Sequence, residues 1–324
     1  MTGASKMASS AATLMAGVTF GMFGFSMAEA AAPMVKTSPP GFYRMMLGAD
    51  EVTALSDGTD DLPVDKLMTN TTPAAVDEAL KRSFEHEPLE TSVNAFLVNT
   101  GGKLVLIDTG AGTLFGPTLG NLLASLRAAG YQPEAVDEIL ITHMHPDHIG
   151  GLLAAGKMAF PNAVVHANKL DADYWLSRAN LDKADPASKG FFQGAQASLA
   201  PYVQAHHFET FEGDVDLAPG IRSVALPGHT PGHTGYMIES NGQRLLVWGD
   251  VVVVGAIQFA NPSVTIEFDA DAGEAAAERR KAFDDAASQG YWVAGAHLPF
   301  PGLGHVRAAG EAFEWAPANY SIVR

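Results

Sequence analysis

Apolar positions repeat at two periods along the 324-residue chain, and the change of period marks the elements. Val93–Asn99 and Lys103–Asp108 read as strands joined by Thr100-Gly101-Gly102, a hairpin signal. Between Pro117 and Gly130, Leu119, Leu122, Leu123 and Leu126 share one helical face, and Gly130 supplies the stop. Val136–Thr142 is a short apolar strand that runs straight into His143, and Ala163–His166 is another strand. Asn168–Leu181 and Gly190–Val203 carry helical spacing, with a loop over 182–189. Residues 220–226, 234–240 and 243–249 read as strands turned at Pro227-Gly228 and Asn241-Gly242. Ala270–Gln289 is a helix rich in alanine and charge, and Tyr291–Ala296 is a buried strand running into His297. Nearer the start, 42–56 is strand-like and ends at Ser56-Asp57-Gly58, a turn signal, and Pro73–Glu85 is helical within a polar stretch. Strands and helices fall into two groups of similar content, which predicts an α/β fold of two sheets with helices outside.

The first 32 residues follow a different rule. Lys6 is their one basic residue, an apolar stretch runs from Ala11 to Ala28, and small residues follow. Ala28-Glu29-Ala30 and Ala30-Ala31-Ala32 both fit a small-x-small cleavage site. The expectation is a signal peptide over residues 1–32, removed to leave one domain over 33–324 in the periplasm or outside the cell. Residues 33–41 are Pro-rich and read as an extended lead-in. With the signal removed, no association with a membrane is expected.

Composition narrows the chemistry. Lys plus Arg number 20 against 36 Asp plus Glu, for a net charge of −16. Such a surface repels phosphate backbones, so nucleic acid is not expected as a partner. Cysteine is absent, which removes disulfides, thiol nucleophiles and every thiolate metal site. A metal must then be held by His, Asp or Glu, and the 11 histidines are not scattered evenly.

Thr142-His143-Met144-His145-Pro146-Asp147-His148 places three histidines and an aspartate directly after a strand. A loop leaving a strand can turn His143 and His145 to one side and Asp147 and His148 to another, so one short segment serves two adjacent cations. Neutral imidazole and carboxylate suit zinc, and also iron or manganese. Three more candidates each follow a strand-like run: His229, Asp250 and His297. Strand ends gathered at one edge are how a fold assembles a site from distant sequence.

This order of residues resembles the metallo-β-lactamase superfamily, and Asp108-Thr109-Gly110 also fits a strand-end turn seen there. The resemblance implies an αββα sandwich with a two-metal site at the sheet edges. It implies that His143, His145 and His229 bind one metal, that Asp147, His148 and His297 bind the other, and that Asp250 bridges them. Zinc is the first choice, with iron, manganese or cobalt as alternatives. The expected nucleophile is a water between the cations, ionised near neutral pH, with Asp147 and Asp250 as the catalytic carboxylates. Segments such as 55–66, 90–101, 115–120, 141–151, 188–192 and 296–305 look like the methyl parathion hydrolase and lactonase branch of that superfamily, whose members are usually homodimers.

The same resemblance places Phe115, Trp175 and Phe191 around the metal mouth and Leu67, Ile266 and Phe268 on its far side. An aromatic and aliphatic lining suits a small hydrophobic ester or lactone. Leu67 sits where the phosphotriesterases have Arg, Phe268 sits where they have Leu, and the 182–189 loop is one residue shorter. Val253 occupies the position at which quorum-quenching lactonases carry Tyr. Lactone or aryl-ester hydrolysis therefore ranks first, with phosphotriester hydrolysis as a side activity or the alternative. A periplasmic metal-binding module is the non-enzyme alternative, against which seven ligands for two metals leave positions open for water. A mono-iron oxygenase on the same fold is a further alternative. A second Asp-Thr-Gly triplet, a G-x-S-x-G elbow and a P-loop are all absent.

Overall fold

The computed structural model describes residues 1–3, 32 and 34–322, so the expected signal peptide lies almost wholly outside the described residues. The chain divides into Met1–Ser38 and Pro39–Arg324. The described residues of the first unit form no helix or strand. Among the described residues, no helix is long and apolar enough to cross a membrane.

The second unit is built on two seven-stranded sheets. The first runs, in spatial order, Phe42–Leu47, Asp50–Leu62, Leu89–Asn99, Leu104–Ile107, Glu138–Leu140, Val164–Asn168 and Phe208–Phe211. The second runs Asp216–Ala218, Ile221–Ala225, Thr234–Ser240, Gln243–Val247, Trp292–Ala294, Leu303–Ala309 and Ala312–Pro317. Strand alternation decides what lies between them. Val105 and Ile107 meet Leu140, Tyr236, Ile238, Leu245 and Val247 in the layer between the sheets. Leu104 and Leu106 turn outward to Leu122, Leu126 and the helix Lys189–Gln204. Each such Leu or Ile contributes about 1.5–3 kcal/mol on burial. On the far side, Leu246 and Val293 pack against the helix Ala272–Gln289 through Ala282, Phe283 and Ala286. The order helix, sheet, sheet, helix is the expected sandwich.

Four strands matter for the site. Leu104–Ile107 pairs parallel with Glu138–Leu140, and Gln243–Val247 pairs parallel with Trp292–Ala294. Parallel neighbours end on the same side, so the residues that follow them are brought together. Asp271 caps the helix Ala272–Gln289 by accepting from Glu274 N–H, and Gly290 ends it in the left-handed conformation. From that helix the buried Arg279 donates to the carbonyls of Val251, Pro262 and Val264, which fastens the chain just beyond Asp250.

Several elements differ from the sequence reading. Ser56-Asp57-Gly58 is not a turn; the strand continues to Leu62 through a bulge, because Asp57 turns inward to receive three backbone N–H groups. The helix expected over Pro117–Gly130 is confined to Leu122–Ala128, since the preceding loop is held by Asp57 instead. Asn168–Leu181 is two helices, Lys169–Trp175 and Arg178–Lys183, with Ser177 capping the second. The strands Phe208–Phe211, Asp216–Ala218, Leu303–Ala309 and Ala312–Pro317 complete the sheet edges and were not marked by the apolar pattern.

Candidate metal centre

Each of the seven expected ligands follows a strand or sits in the loop after one. Glu138–Leu140 leads through Ile141 and Thr142 to His143, and a one-turn helix, Pro146–Ile149, starts at His145 with Pro146 in its first position. Ile221–Ala225 leads to His229, Gln243–Val247 to Asp250, and Trp292–Ala294 to His297. Gly249 has φ +54, and a Cβ there would lie 2.6 Å from His233 Nε2 and 2.9 Å from Thr142 Cβ. Only glycine lets Asp250 come this close to the histidine loop.

The seven side chains converge in two adjoining sets. Donor atoms of His143, His145, His229 and Asp250 lie within 4.8 Å of one another, and so do those of Asp147, His148 and His297. Asp250 joins the sets. Its Oδ2 is 3.3 Å from His229 Nε2 and 3.1 Å from His297 Nε2, and its Oδ1 is 3.2 Å from His148 Nε2. Asp147 Oδ2 is 3.4 Å from His148 Nε2 and 3.3 Å from His297 Nε2.

Four of the five ligand imidazoles have their outward ring nitrogen engaged. His148 Nδ1 donates to Asp108 Oδ2 at 2.9 Å, and His229 Nδ1 to Asp269 Oδ1 at 2.8 Å. His297 Nδ1 donates to the Ser92 carbonyl at 2.9 Å. His143 Nδ1 donates to Thr142 Oγ1 at 3.1 Å, and that hydroxyl donates onward to Asp108 Oδ2. These bonds orient the four rings with Nε2 turned inward, while His145 turns its Nδ1 inward, 3.1 Å from His229 Nε2. His143 Nε2, His148 Nε2 and Asp250 Oδ1 are buried with no hydrogen-bond partner among the described residues. Buried polar atoms left this way are costly unless something else receives them, and two divalent cations fit the donor set.

The protonation pattern follows from crowding. Burial, then the charge of His148, lowers His143; burial, then His229, lowers His145. Burial opposes charge on His229, yet Asp250 and Asp269 lift it to about 9. Asp250 and Asp147 likewise raise His148 and His297 against the effect of burial. Burial would raise Asp147, but His148 and His297 bring it down to about 2. Asp250 is held well below the carboxylate range in the same way, against burial, with His297 and His148 the largest influences.

Other residues position the ligands. His233 is pushed down to about 3 by burial and by His229. It donates from Nδ1 to the Leu226 carbonyl, and its Nε2 accepts from Asp250 N–H at 3.0 Å. Asp171 receives Met144 N–H, Thr230 O–H and Gly232 N–H, tying the His145 and His229 loops together. Asn94 donates to the carbonyls of Gly295 and Leu298 on either side of His297. Asp269 and Asp171 carry no local motif in the sequence; the signal for Asp108 was its place at the end of a buried strand. His166 bonds Glu138, His207 bonds the Ala163 carbonyl and His305 the Tyr291 carbonyl, so these histidines stay outside the centre.

A cavity opens over the centre. Its wall takes in His145, Asp147, Asp250 and His297 together with Leu62, Val93, Phe115, Leu119, Phe191, Val253 and Phe268. Of the six expected lining residues, Phe115, Phe191 and Phe268 are in that wall. Trp175, Leu67 and Ile266 do not form the wall. Trp175 is buried behind His145, with ring centroids 5.2 Å apart. Leu67 and Ile266 pack with Met68, Val264 and Phe268 in the cluster beneath, because the two-stranded pair of 68–69 with 265–266 holds them there.

The family model described as "Metallo-beta-lactamase superfamily" matches residues 89–296. The crystal structure of a hydrolase, AbOPH, in the beta lactamase superfamily superposes with a TM-score of 0.84 at 36% identity, over 88% of this chain and 100% of that one. AidC, a dizinc quorum-quenching lactonase, superposes with a TM-score of 0.77 at 28% identity, over 87% of this chain and 99% of that one. An N-acyl homoserine lactonase from Bacillus sp is 27% identical over 173 residues, which is 48% of this chain and 61% of that protein. One from Bacillus thuringiensis is 27% identical over 115 residues, 36% of this chain and 38% of that protein. The chain therefore spans about 61% and 38% of the lengths of these two relatives.

Proposed function

From the chain's membership of the metallo-β-lactamase superfamily, we propose a hydrolase that uses two divalent cations to open lactones or cleave aryl esters. His143, His145 and His229 would hold one cation and Asp147, His148 and His297 the other, with Asp250 between them. Zinc is the preferred metal, in keeping with the dizinc relative AidC, with iron, manganese or cobalt as alternatives. Bound there, such cations supply Lewis acidity and bring the pKa of a water from about 15.7 to about 7.

The protein's own residues do the rest. Phe115, Phe191 and Phe268 receive the apolar part of the substrate and exclude water above the centre. The histidines around Asp147 and Asp250 favour their ionised form, which suits both to hold the geometry of the centre as ligands. Asp108, Asp269 and the Ser92 carbonyl keep the imidazoles oriented. Val253 stands in the cavity wall without a hydroxyl, so the carbonyl oxygen has no side-chain donor from that position. The observation that carries the reading is one cavity whose floor is the His/Asp centre and whose walls are mostly apolar.

Phosphotriester hydrolysis is the alternative. The test is kcat/KM of the zinc-loaded enzyme on aryl lactones, aryl esters, homoserine lactones and dimethyl phosphotriesters. Aryl lactones or esters should lead. Phosphotriesters ahead by more than about tenfold, roughly 1.4 kcal/mol of barrier, would reverse the ranking. Asp250→Ala should lose at least one metal by elemental analysis and nearly all turnover. The apolar N-terminal segment supports export to the periplasm or medium, and the family resemblance supports a homodimer. N-terminal sequencing of the exported protein and light scattering test these two points.

A further inference from the structure

The cavity wall holds one ionisable side chain that the metal centre does not use. Asp60 lines it, half-buried, among Leu62, Val93, Phe115 and Phe268. In the sequence, Asp60 and Asp61 are neighbours in a polar stretch with nothing to tell them apart. The bulge at Asp57 changes that. Before it, Leu55 pairs with Ala95 and Ser56 with Asn94; after it, Gly58 pairs with Val93 and Asp60 with Thr91. One extra residue reverses the face of everything beyond it. Asp60 and Leu62 therefore join Thr91 and Val93 on the cavity side, while Asp61 is exposed. The cross-strand partner Thr91 precedes Ser92, whose carbonyl orients His297, so Asp60 sits one strand away from the backbone that holds a ligand.

Thr59 and Glu90 bond to each other, and no hydrogen bond or ion pair engages the Asp60 carboxylate among the described residues. Neither Lys nor Arg is in the cavity wall. In the free protein, water solvates this carboxylate. A substrate that fills the cavity displaces that water and must replace its hydrogen bonds, or the carboxylate is left without a partner. We propose that Asp60 is a specificity-determining residue of this cavity. It selects esters or lactones that carry a hydrogen-bond donor, above all a cationic amine, on a substituent away from the reacting carbonyl. It disfavours substrates that carry a carboxylate on that substituent. The proposal rests on the hydrolase reading for the word substrate, but the recognition it describes is a property of the wall.

The experiment compares the zinc-loaded wild type with Asp60→Asn and Asp60→Leu. Phenyl acetates bearing 4-aminomethyl, 4-hydroxymethyl, 4-methyl or 4-carboxy groups are the substrates. Benzylamine and benzyl alcohol are calorimetric probes of binding. Taking each ratio against the 4-methyl ester and then against wild type removes intrinsic reactivity. In Asp60→Leu the aminomethyl preference should fall about tenfold and the carboxy ester should improve. Asp60→Asn should keep the hydroxymethyl preference and lose the aminomethyl one. Melting temperatures should match wild type, since Asp60 has no internal partner to lose. Ratios within twofold of wild type for all substituents, with benzylamine binding unchanged, would overturn the proposal. If no ester is turned over, the aryl-ester reading fails, while a benzylamine affinity about tenfold weaker in Asp60→Leu would still uphold the role of Asp60.

Discussion

At the scale of single residues, the ligands are less distinctive than what stands behind them. Asp108 has φ +60, an uncommon conformation outside glycine that Asp tolerates, and it serves both metal sets at once. It receives His148 directly and His143 through Thr142. Asp108→Ala should weaken zinc affinity about 10–100-fold, measured by competition with a chromophoric chelator. Asp108→Asn should weaken it comparably, because its single amide oxygen cannot accept from both Thr142 N–H and His148 Nδ1–H; unchanged affinity in both variants would remove Asp108 from the centre. Asp171 shows the opposite electrostatics. Burial lifts it from 3.8 to about 6, although three donors oppose the rise. A carboxyl group whose pKa is raised on folding contributes stability that is full below 3.8 and is lost as pH rises through about 6. The interval corresponds to about 3 kcal/mol. Denaturant unfolding of chelated protein should show wild type losing stability relative to Asp171→Asn between those pH values. A flat difference would refute this.

At the scale of elements, the bulge within Asp50–Leu62 does two jobs. It turns Asp57 inward to bind Ala111, Gly120 and Leu122 N–H, which shapes the loop carrying Phe115. It also turns Asp60 toward the cavity. Burial raises the Asp57 pKa, with the three backbone bonds opposing it. Gly58 makes the bulge possible: its φ is +130, and a Cβ would lie 2.0 Å from the Thr118 carbonyl oxygen. Gly58→Ala should destabilise the protein by at least about 2 kcal/mol and raise KM more than it lowers kcat, since the disturbed loop binds substrate. A melting temperature equal to wild type would show that the loop relaxes freely. The Ser56-Asp57-Gly58 triplet looked like a chain reversal because turns and bulges call on the same residues. Whether neighbouring strands continue decides between them, and no local pattern carries that information.

At the scale of the whole molecule, residues that could hold metal come from both sheets and meet at one edge, so bound metals would act as a clasp between halves of the fold. Chelation of the intact protein should lower its melting temperature by on the order of 10 °C, and zinc or manganese should restore it. Complete metal removal without any change in melting would show that the sheets need no such clasp. The His143–His148 segment, the strand-end positions of His229, Asp250 and His297, and the two sheets with outer helices were all readable from the chain alone. They rest on short-range facts: covalent spacing within one loop, and the alternation of apolar residues along strands. Asp108 stood out as a strand-end residue, but what the orienting groups bond to was not readable, because Asp108 lies 40 residues from His148 and the Ser92 carbonyl 205 from His297. Their pairing depends on which strands align and in which register. Tertiary structure also moved Trp175, Leu67 and Ile266 off the cavity wall and brought Asp60 onto it. A side chain's face is set by long-range strand pairing, and one bulged residue reverses it.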